Sequence, residues 1–418
     1  MALLKQNILN NTCRPIYLDY QATTPTDPRV LEAMIPYFTE KFGNPHSNSH
    51  AFGWYANDAV EAARAKVAEL IGAKVEEIIF TSGATESNNL AIKGLFSSPQ
   101  TFKKHIITTK IEHKCVLEAC RRVEEGGGKV TYLNVTREGV IELDEFIKAI
   151  QEDTILVSVM GANNETGVIQ PLKEIGKICR EKKIYFHSDC AQLIGNVPIN
   201  VNDLNVDLMS MSGHKFYGPM GIGALYVRRK PRVRLRGLMD GGGQEFGLRS
   251  GTLPVPLCVG MGEAADILKK ELSKEIKHFS ILREQFLASI IGSVPNIRVN
   301  GSLKNRIANN LNLCFPGVKA EKLLINLKGI AISSGAACAS ASKEYSYVLK
   351  AMGLSIEQIK ASIRIGFGRF TTDEDIINAG KIIISGIQEE LGYVSKSIDA
   401  SNLRQETKAS LRRETSIL

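Results

Sequence analysis

An apolar run from Val206 to Met211 stops at Ser212-Gly213-His214-Lys215, and a glycine-rich turn, Phe216 to Gly223, returns the chain into a second apolar run, Ala224 to Val227. No other stretch restricts the fold more. It fixes a lysine where a strand ends, and the tight return would hold that lysine at a fixed place on a sheet edge. A lysine attacks a carbonyl only as the free amine, and an unperturbed pKa of about 10.4 leaves little of that form near neutrality. Burial or a neighbouring cation would favour the neutral amine and make Lys215 competent to form a Schiff base. Taken alone, a lysine beside glycines also fits an ordinary solvated turn.

Two other strand ends change that balance. The run Glu77 to Phe80 leads into Thr81-Ser82-Gly83-Ala84-Thr85-Glu86-Ser87-Asn88-Asn89 and then into a helix-periodic stretch with Leu90, Ala91 and Leu95. Small residues at a helix N-terminus let backbone N–H groups approach an anion, although a plain N-cap reads the same way. The run Ile184 to Phe186 ends in His187-Ser188-Asp189-Cys190-Ala191-Gln192. An acid at the C-terminal end of a strand in an open parallel sheet faces the ligand crevice. A phosphate cradle, a carboxylate for a pyridine nitrogen and a lysine for an aldehyde are together what pyridoxal 5'-phosphate requires.

With these residues in this order, the chain resembles the fold type I pyridoxal-phosphate enzymes, and among them the IscS-type (class I) cysteine desulfurases. The resemblance runs from Tyr17-Leu18-Asp19-Tyr20-Gln21-Ala22-Thr23-Thr24-Pro25 to about Arg369-Phe370-Thr371-Thr372. It implies an α/β fold of the aspartate aminotransferase type, with a mainly parallel sheet in a large cofactor domain and a smaller α+β domain. By the resemblance, Ala84 and Thr85 form the phosphate cradle, Ser212 and His214 add phosphate contacts, and Lys215 carries the cofactor. His113, in Ile111-Glu112-His113-Lys114, stacks on the pyridine ring, Asp189 meets the ring nitrogen and Gln192 the phenolic oxygen. Asn164, in Asn163-Asn164-Glu165-Thr166-Gly167, and Arg364, in Ser362-Ile363-Arg364-Ile365-Gly366, hold the substrate carboxylate. Thr252, in Arg249-Ser250-Gly251-Thr252, reaches the phosphate of a partner subunit, which implies a homodimer.

The reaction turns on Cys338, in Ser333-Ser334-Gly335-Ala336-Ala337-Cys338-Ala339-Ser340-Ala341-Ser342. Such a composition predicts a loop, and this longer serine-rich form resembles class I desulfurases. The resemblance implies that L-cysteine is converted to L-alanine through an aldimine and a ketimine while its sulfur passes to Cys338 as a persulfide. His113 is the candidate proton acceptor for that thiol. Acceptor proteins would take the sulfur for iron-sulfur cluster assembly, and tRNA thiolation is a further outlet. No resident metal is expected, apart from a contact of Cys338 with a nascent [2Fe-2S] cluster held with a scaffold. An aminotransferase would share the cofactor without needing Cys338. A selenocysteine lyase would share every residue named, and a non-catalytic scaffold of the same fold would not need Lys215.

At 418 residues and 44% hydrophobic content the chain is long for one core and predicts two lobes. The expected division is 17–262 as the large lobe, 1–16 with 263–392 as the small lobe carrying Cys338 and Arg364, and 393–418 as a polar tail. An amphipathic helix from about Val259 to Ile291 should leave the large lobe, with a strand from Ile307 to Cys314 and a helix from Ser355 to Lys360 beyond it. No apolar run reaches the roughly 18 residues that span a bilayer. Cys13, Cys115, Cys120, Cys179, Cys190, Cys258, Cys314 and Cys338 form no C-x-x-C pair, which predicts reduced thiols. A bacterial cytoplasm is the simplest location, because residues 1–14 have too few arginines and serines to argue for an organelle-targeting peptide.

The net charge of +8 is uneven: Arg228, Arg229, Lys230, Arg232, Arg234 and Arg236 fall within nine residues. A basic surface strand there would attract an acidic partner such as an iron-sulfur scaffold, or guard a solvated edge. No further feature points to nucleic acid. Two departures from the family stand out: Phe246 occupies a position where an arginine is usual, and the tail from about Tyr393 differs from the family's usual scaffold-docking end.

Overall fold

The computed structural model describes residues 15–99, 104–334 and 345–392 of the chain. At its centre is a seven-stranded sheet built from β2 (Ile78–Thr81), β3 (His105–Thr109), β4 (Lys129–Leu133), β5 (Thr154–Ser158), β6 (Tyr185–Asp189), β7 (Leu208–Ser212) and β8 (Gly223–Val227). The spatial order is β2-β8-β7-β6-β5-β3-β4. All neighbours pair in parallel except β8, which runs against both β2 and β7.

Helices Ala84–Phe96, Lys114–Glu125, Leu143–Ala149 and Leu172–Lys182 make the crossovers, so both faces of the sheet are covered and its strands read as near-continuous apolar runs. Side chains alternate across the pleat. Ile78, Phe80, Ile107, Val157, Met209, Met211 and Tyr226 join one apolar cluster, while Ile79, Ile106, Leu156, Leu208, Leu225 and Val227 join another on the opposite face.

The helix Val255–Ile291 gives Val255, Cys258, Met261 and Leu268 to the first cluster and Leu282, Phe286 and Ile290 to a separate one. That cluster is built on β10 (Asn310–Cys314), which lies between β9 (Arg298–Val299) and β12 (Ser362–Gly366) in an antiparallel sheet. A short parallel pair, β1 (Ile16–Tyr17) with β11 (Ile330–Ala331), adjoins it, and Leu18 is buried in the same cluster. The helix Asp373–Glu390 closes the layer, started by a capping box between Thr372 and Asp375.

Three local expectations are corrected. Lys215 follows an interior strand, because β8 turns back and pairs between β7 and β2 rather than leaving β7 at the edge. Residues 228–236 form no strand. Arg228 is buried, donating to the carbonyls of Val201 and Val206 with Asp207 3.3 Å away. The strand expected from Ile307 begins at Asn310, because the Ile307 N–H is taken by Gly167 O instead.

Candidate active site

The C-terminal ends of β2, β6 and β7 converge on one crevice. At the end of β2 the chain turns through Gly83, whose φ of 154° and ψ of 178° suit only glycine. Gly83 is the N-cap of the helix Ala84–Phe96 and supplies no side-chain cap, leaving the first-turn N–H groups at Ala84 and Thr85 available to an anion. Gly223 pairs with both Thr81 and Ser212, and a Cβ placed on it would come within 2.6 Å of Gly83 Cα. A Cβ on Gly83 would in turn lie 3.7 Å from Ser212 Oγ. The two glycines therefore keep open a concave, donor-lined cradle. Glu86, acidic in the first turn, is offset by Arg249, whose Nε donates to its Oε1 at 3.0 Å.

Lys215 lies one short turn beyond β7, and its Nζ donates to the carbonyls of Gln21 at 2.6 Å and Ala22 at 2.8 Å. Gln192 Nε2 donates to the same Gln21 oxygen at 2.8 Å. His214 Nδ1 lies 3.0 Å from Thr23 Oγ1. Burial, and after it the positive charge of Lys215, push His214 down to about 4, so its imidazole is neutral at physiological pH. The segment Gln21 to Thr24 thus forms a wall against the lysine.

Asp189 closes β6 and is buried. Its Oδ1 accepts from Ala191 N at 3.0 Å and its Oδ2 from Asn88 Nδ2 at 2.7 Å. His113 is the N-cap of the helix Lys114–Glu125, and its Nδ1 accepts from Cys115 N at 3.3 Å. Beside it, burial pushes Glu112 up to about 8; its Oε1 accepts from Thr109 Oγ1 and Met160 N.

Across the crevice, β12 carries Arg364, 2% exposed. Its Nη2 meets Asp19 Oδ1 at 2.6 Å and its Nη1 donates to Asn164 O at 2.9 Å. Asn163 shapes the loop under Asn164 by accepting from Glu165 N and Thr166 N. The Asn164 Oδ1 is buried with no hydrogen-bond partner among the described residues, and such an atom calls for a ligand. An amide oxygen calls for a donor, and turned over the same amide presents its NH2 group; with the open glycine cradle and Arg364, these residues fit a phosphorylated ring bearing a carboxylate-containing substrate. Thr252 is exposed on this chain. Cys338 lies outside the described residues.

Sequence reasoning did not single out Asn88, Cys115 or the Gln21 carbonyl. Asn88 had one usable signal: it sits a helical turn beyond Ala84, a polar residue among the buried positions of that helix.

The description "Aminotransferase class-V" belongs to the family model that matches residues 16–378. A cysteine desulfurase IscS of Rickettsia bellii is 59% identical over 381 residues, which are 91% of this chain and 93% of that protein. A second, of Rickettsia prowazekii, is 57% identical over the same shares. Among solved structures, a NifS-like protein superposes with a TM-score of 0.83 at 39% identity, covering 91% of this chain and all of that one. SspA in complex with cysteine gives 0.75 at 39% identity, covering 85% of this chain and 99% of that one. The chain belongs to the class-V aminotransferase family and, within it, to the IscS-type cysteine desulfurases.

Proposed function

We propose that this enzyme works with pyridoxal 5'-phosphate to convert L-cysteine to L-alanine, leaving the sulfur as a persulfide on Cys338 for acceptor proteins of iron-sulfur cluster assembly. The observation that carries the cofactor assignment is the convergence of Lys215, Asp189 and the Gly83 cradle at the C-terminal ends of β7, β6 and β2 in one sheet. Ala84, Thr85, Ser212 and His214 would hold the phosphate, Asp189 the ring nitrogen, Gln192 the phenolic oxygen and His113 the ring face. When bound, the cofactor supplies an electron sink for the substrate's Cα.

The chain's own residues do the rest. Arg364 and Asn164 orient the substrate carboxylate through charge-assisted hydrogen bonds, and Lys215 Nζ takes the Cα proton. The Cys338 thiolate forms a bond to the substrate sulfur as the substrate's carbon–sulfur bond breaks. The electron pair stays on carbon, which is protonated to the methyl group of alanine. Cysteine and a thiol become alanine and a persulfide, with no outside oxidant.

A homodimer would complete each site, since Thr252 is exposed on its own chain. Phe38, Phe42, Phe52, Trp54 and Tyr55, all half or more exposed, offer an apolar face of the kind that subunit interfaces cover. We assign 17–262 to the cofactor lobe and 263–392, with 1–16, to the lobe carrying Arg364 and Cys338. A bacterial cytoplasm suits the Rickettsia relatives. The cleft lined by Arg229, Arg232, Arg234 and Phe246 suits an acidic partner, with the Arg229 guanidinium 4.7 Å from the Phe246 ring centroid.

The test is to incubate the purified protein with L-cysteine and a reductant, measure alanine and sulfide, and look for added sulfur on Cys338 by mass spectrometry. Cys338→Ser should abolish sulfur transfer while keeping the cofactor absorbance. Alanine formed with no sulfur ever trapped on Cys338 would overturn the proposal.

A further inference from the structure

The hydrogen bonds behind His113 and Asp189 form one chain, and the chemistry of its members fixes the direction of each bond. Asp189 Oδ2 can only accept from Asn88, so the Asn88 side chain presents its NH2 group, 2.7 Å away. The same Nδ2 lies 3.1 Å from Cys115 Sγ, which makes the sulfur an acceptor there. Cys115 Sγ is also 2.9 Å from His113 Nδ1. The backbone N–H of Cys115 points at that nitrogen too, at 3.3 Å, and a backbone N–H can only donate. Nδ1 is therefore itself an acceptor, which leaves the thiol's own hydrogen to bridge to it. Both neighbours of Nδ1 among the described residues are donors, so the single proton of a neutral His113 ring resides on Nε2.

We propose that Cys115 is a positioning residue for the desulfurase reaction: its thiol, held by Asn88 and through Asn88 tied to Asp189, keeps His113 in the Nε2–H tautomer and fixes its ring. The inference rests on His113 and Asp189 flanking the cofactor. In this arrangement His113 presents a donor at Nε2, and it can take up a further proton only at Nδ1, against the Cys115 hydrogen. Proton uptake by His113 is therefore coupled to Cys115, and the residue that would meet the cofactor's ring face shares one network with the residue that would meet its ring nitrogen. Cys115 is buried at the start of a helix, with its side chain turned to these two polar groups.

Nitrogen-15 NMR of the histidine rings in the cofactor-free protein, with His113 assigned by substitution, tests the tautomer without any turnover. The wild type should show a protonated Nε2 and an unprotonated Nδ1. Cys115→Ala should move the Nδ1 resonance and admit the other tautomer, and Cys115→Ser, which keeps a donor, should restore the wild-type pattern. In the loaded enzyme, Cys115→Ala should lower kcat about 3- to 10-fold, the loss of one modest hydrogen bond, with KM for L-cysteine within about twofold. A proton on Nδ1 in the wild type, or ring shifts in Cys115→Ala identical to the wild type, overturns the inference. An absence of alanine formation in the wild type would instead overturn the proposed function and leave the NMR result standing.

Discussion

Replacing Arg364 with lysine keeps the positive charge at the substrate grip but removes the planar fork. The guanidinium is fixed at two points, Asp19 Oδ1 at 2.6 Å and Asn164 O at 2.9 Å, so it is preorganised before substrate arrives. A lysine ammonium cannot satisfy both anchors and still present two parallel donors to a carboxylate. The loss is one hydrogen bond to a charged group, about 1.5–3 kcal/mol, or a fall of about 10- to 150-fold in kcat/KM for L-cysteine. The assay is alanine formation at varied L-cysteine, paired with binding of L-cysteine and of L-cysteine amide followed by the change in cofactor absorbance. The amide has no carboxylate to grip, so the wild type should bind it more weakly than L-cysteine. Arg364→Lys should weaken L-cysteine by the stated factor and the amide by less than about threefold, the non-additivity expected of two groups in contact. Equal losses for both ligands would refute the carboxylate assignment and leave Arg364 a structural residue.

Further outcomes concern the frame around the site. Arg64 and Glu245 form a buried two-point pair at 2.7 and 2.8 Å, and Glu245 also accepts from Phe80 N at 2.6 Å. Glu245→Ala should cost about 3–5 kcal/mol by removing the buried partner of Arg64, which keeps only the half-exposed Glu61 and the Ile78 carbonyl, read from urea unfolding; a loss under about 1 kcal/mol would contradict this account. Glu112, pushed up to about 8 by burial, holds its proton more tightly folded than unfolded. Its contribution to stability is therefore complete below the ordinary carboxylate range and is lost as pH rises to about 8. Glu112→Gln should flatten the fall in Tm between pH 5 and pH 8, and an unchanged slope would exclude the carboxyl as its source. In the proposed homodimer, where Thr252 would reach the partner's phosphate, Thr252→Ala should weaken cofactor retention about 5- to 10-fold, measured by equilibrium dialysis.

Much of this crevice could be read from sequence because the residues that line it sit at strand ends, where an apolar run gives way to small and polar residues within a few positions. Lys215, Asp189 and the Gly83 turn are all of this kind. The meeting of Arg364 with Asn164 is different: the two belong to separate sheets and loops, and no local pattern shows which loop carbonyl a β12 arginine will reach. Asn88 and Cys115 escaped notice because a helix face records only that a position is inside, not that its neighbour is another buried polar atom. Arg228 misled for the converse reason. Its charge reads as surface in a run of arginines, yet backbone carbonyls and Asp207 satisfy it inside the protein. The sheet-edge expectation failed because an antiparallel return can dock between two strands as readily as beside one.

The helix Val255–Ile291 has a mechanical consequence. At about 1.5 Å of rise per residue its 37 residues make a rod of roughly 55 Å, clamped near one end by the core under Lys215 and near the other by the core under Arg364. It acts as a lever. A tilt of about 5° around its middle would displace an end by roughly 2 Å, enough to spoil the alignment that productive attack geometry demands. Stiffening or softening this rod far from either residue should thus change how sharply the reaction responds to temperature, without altering a single contact to substrate.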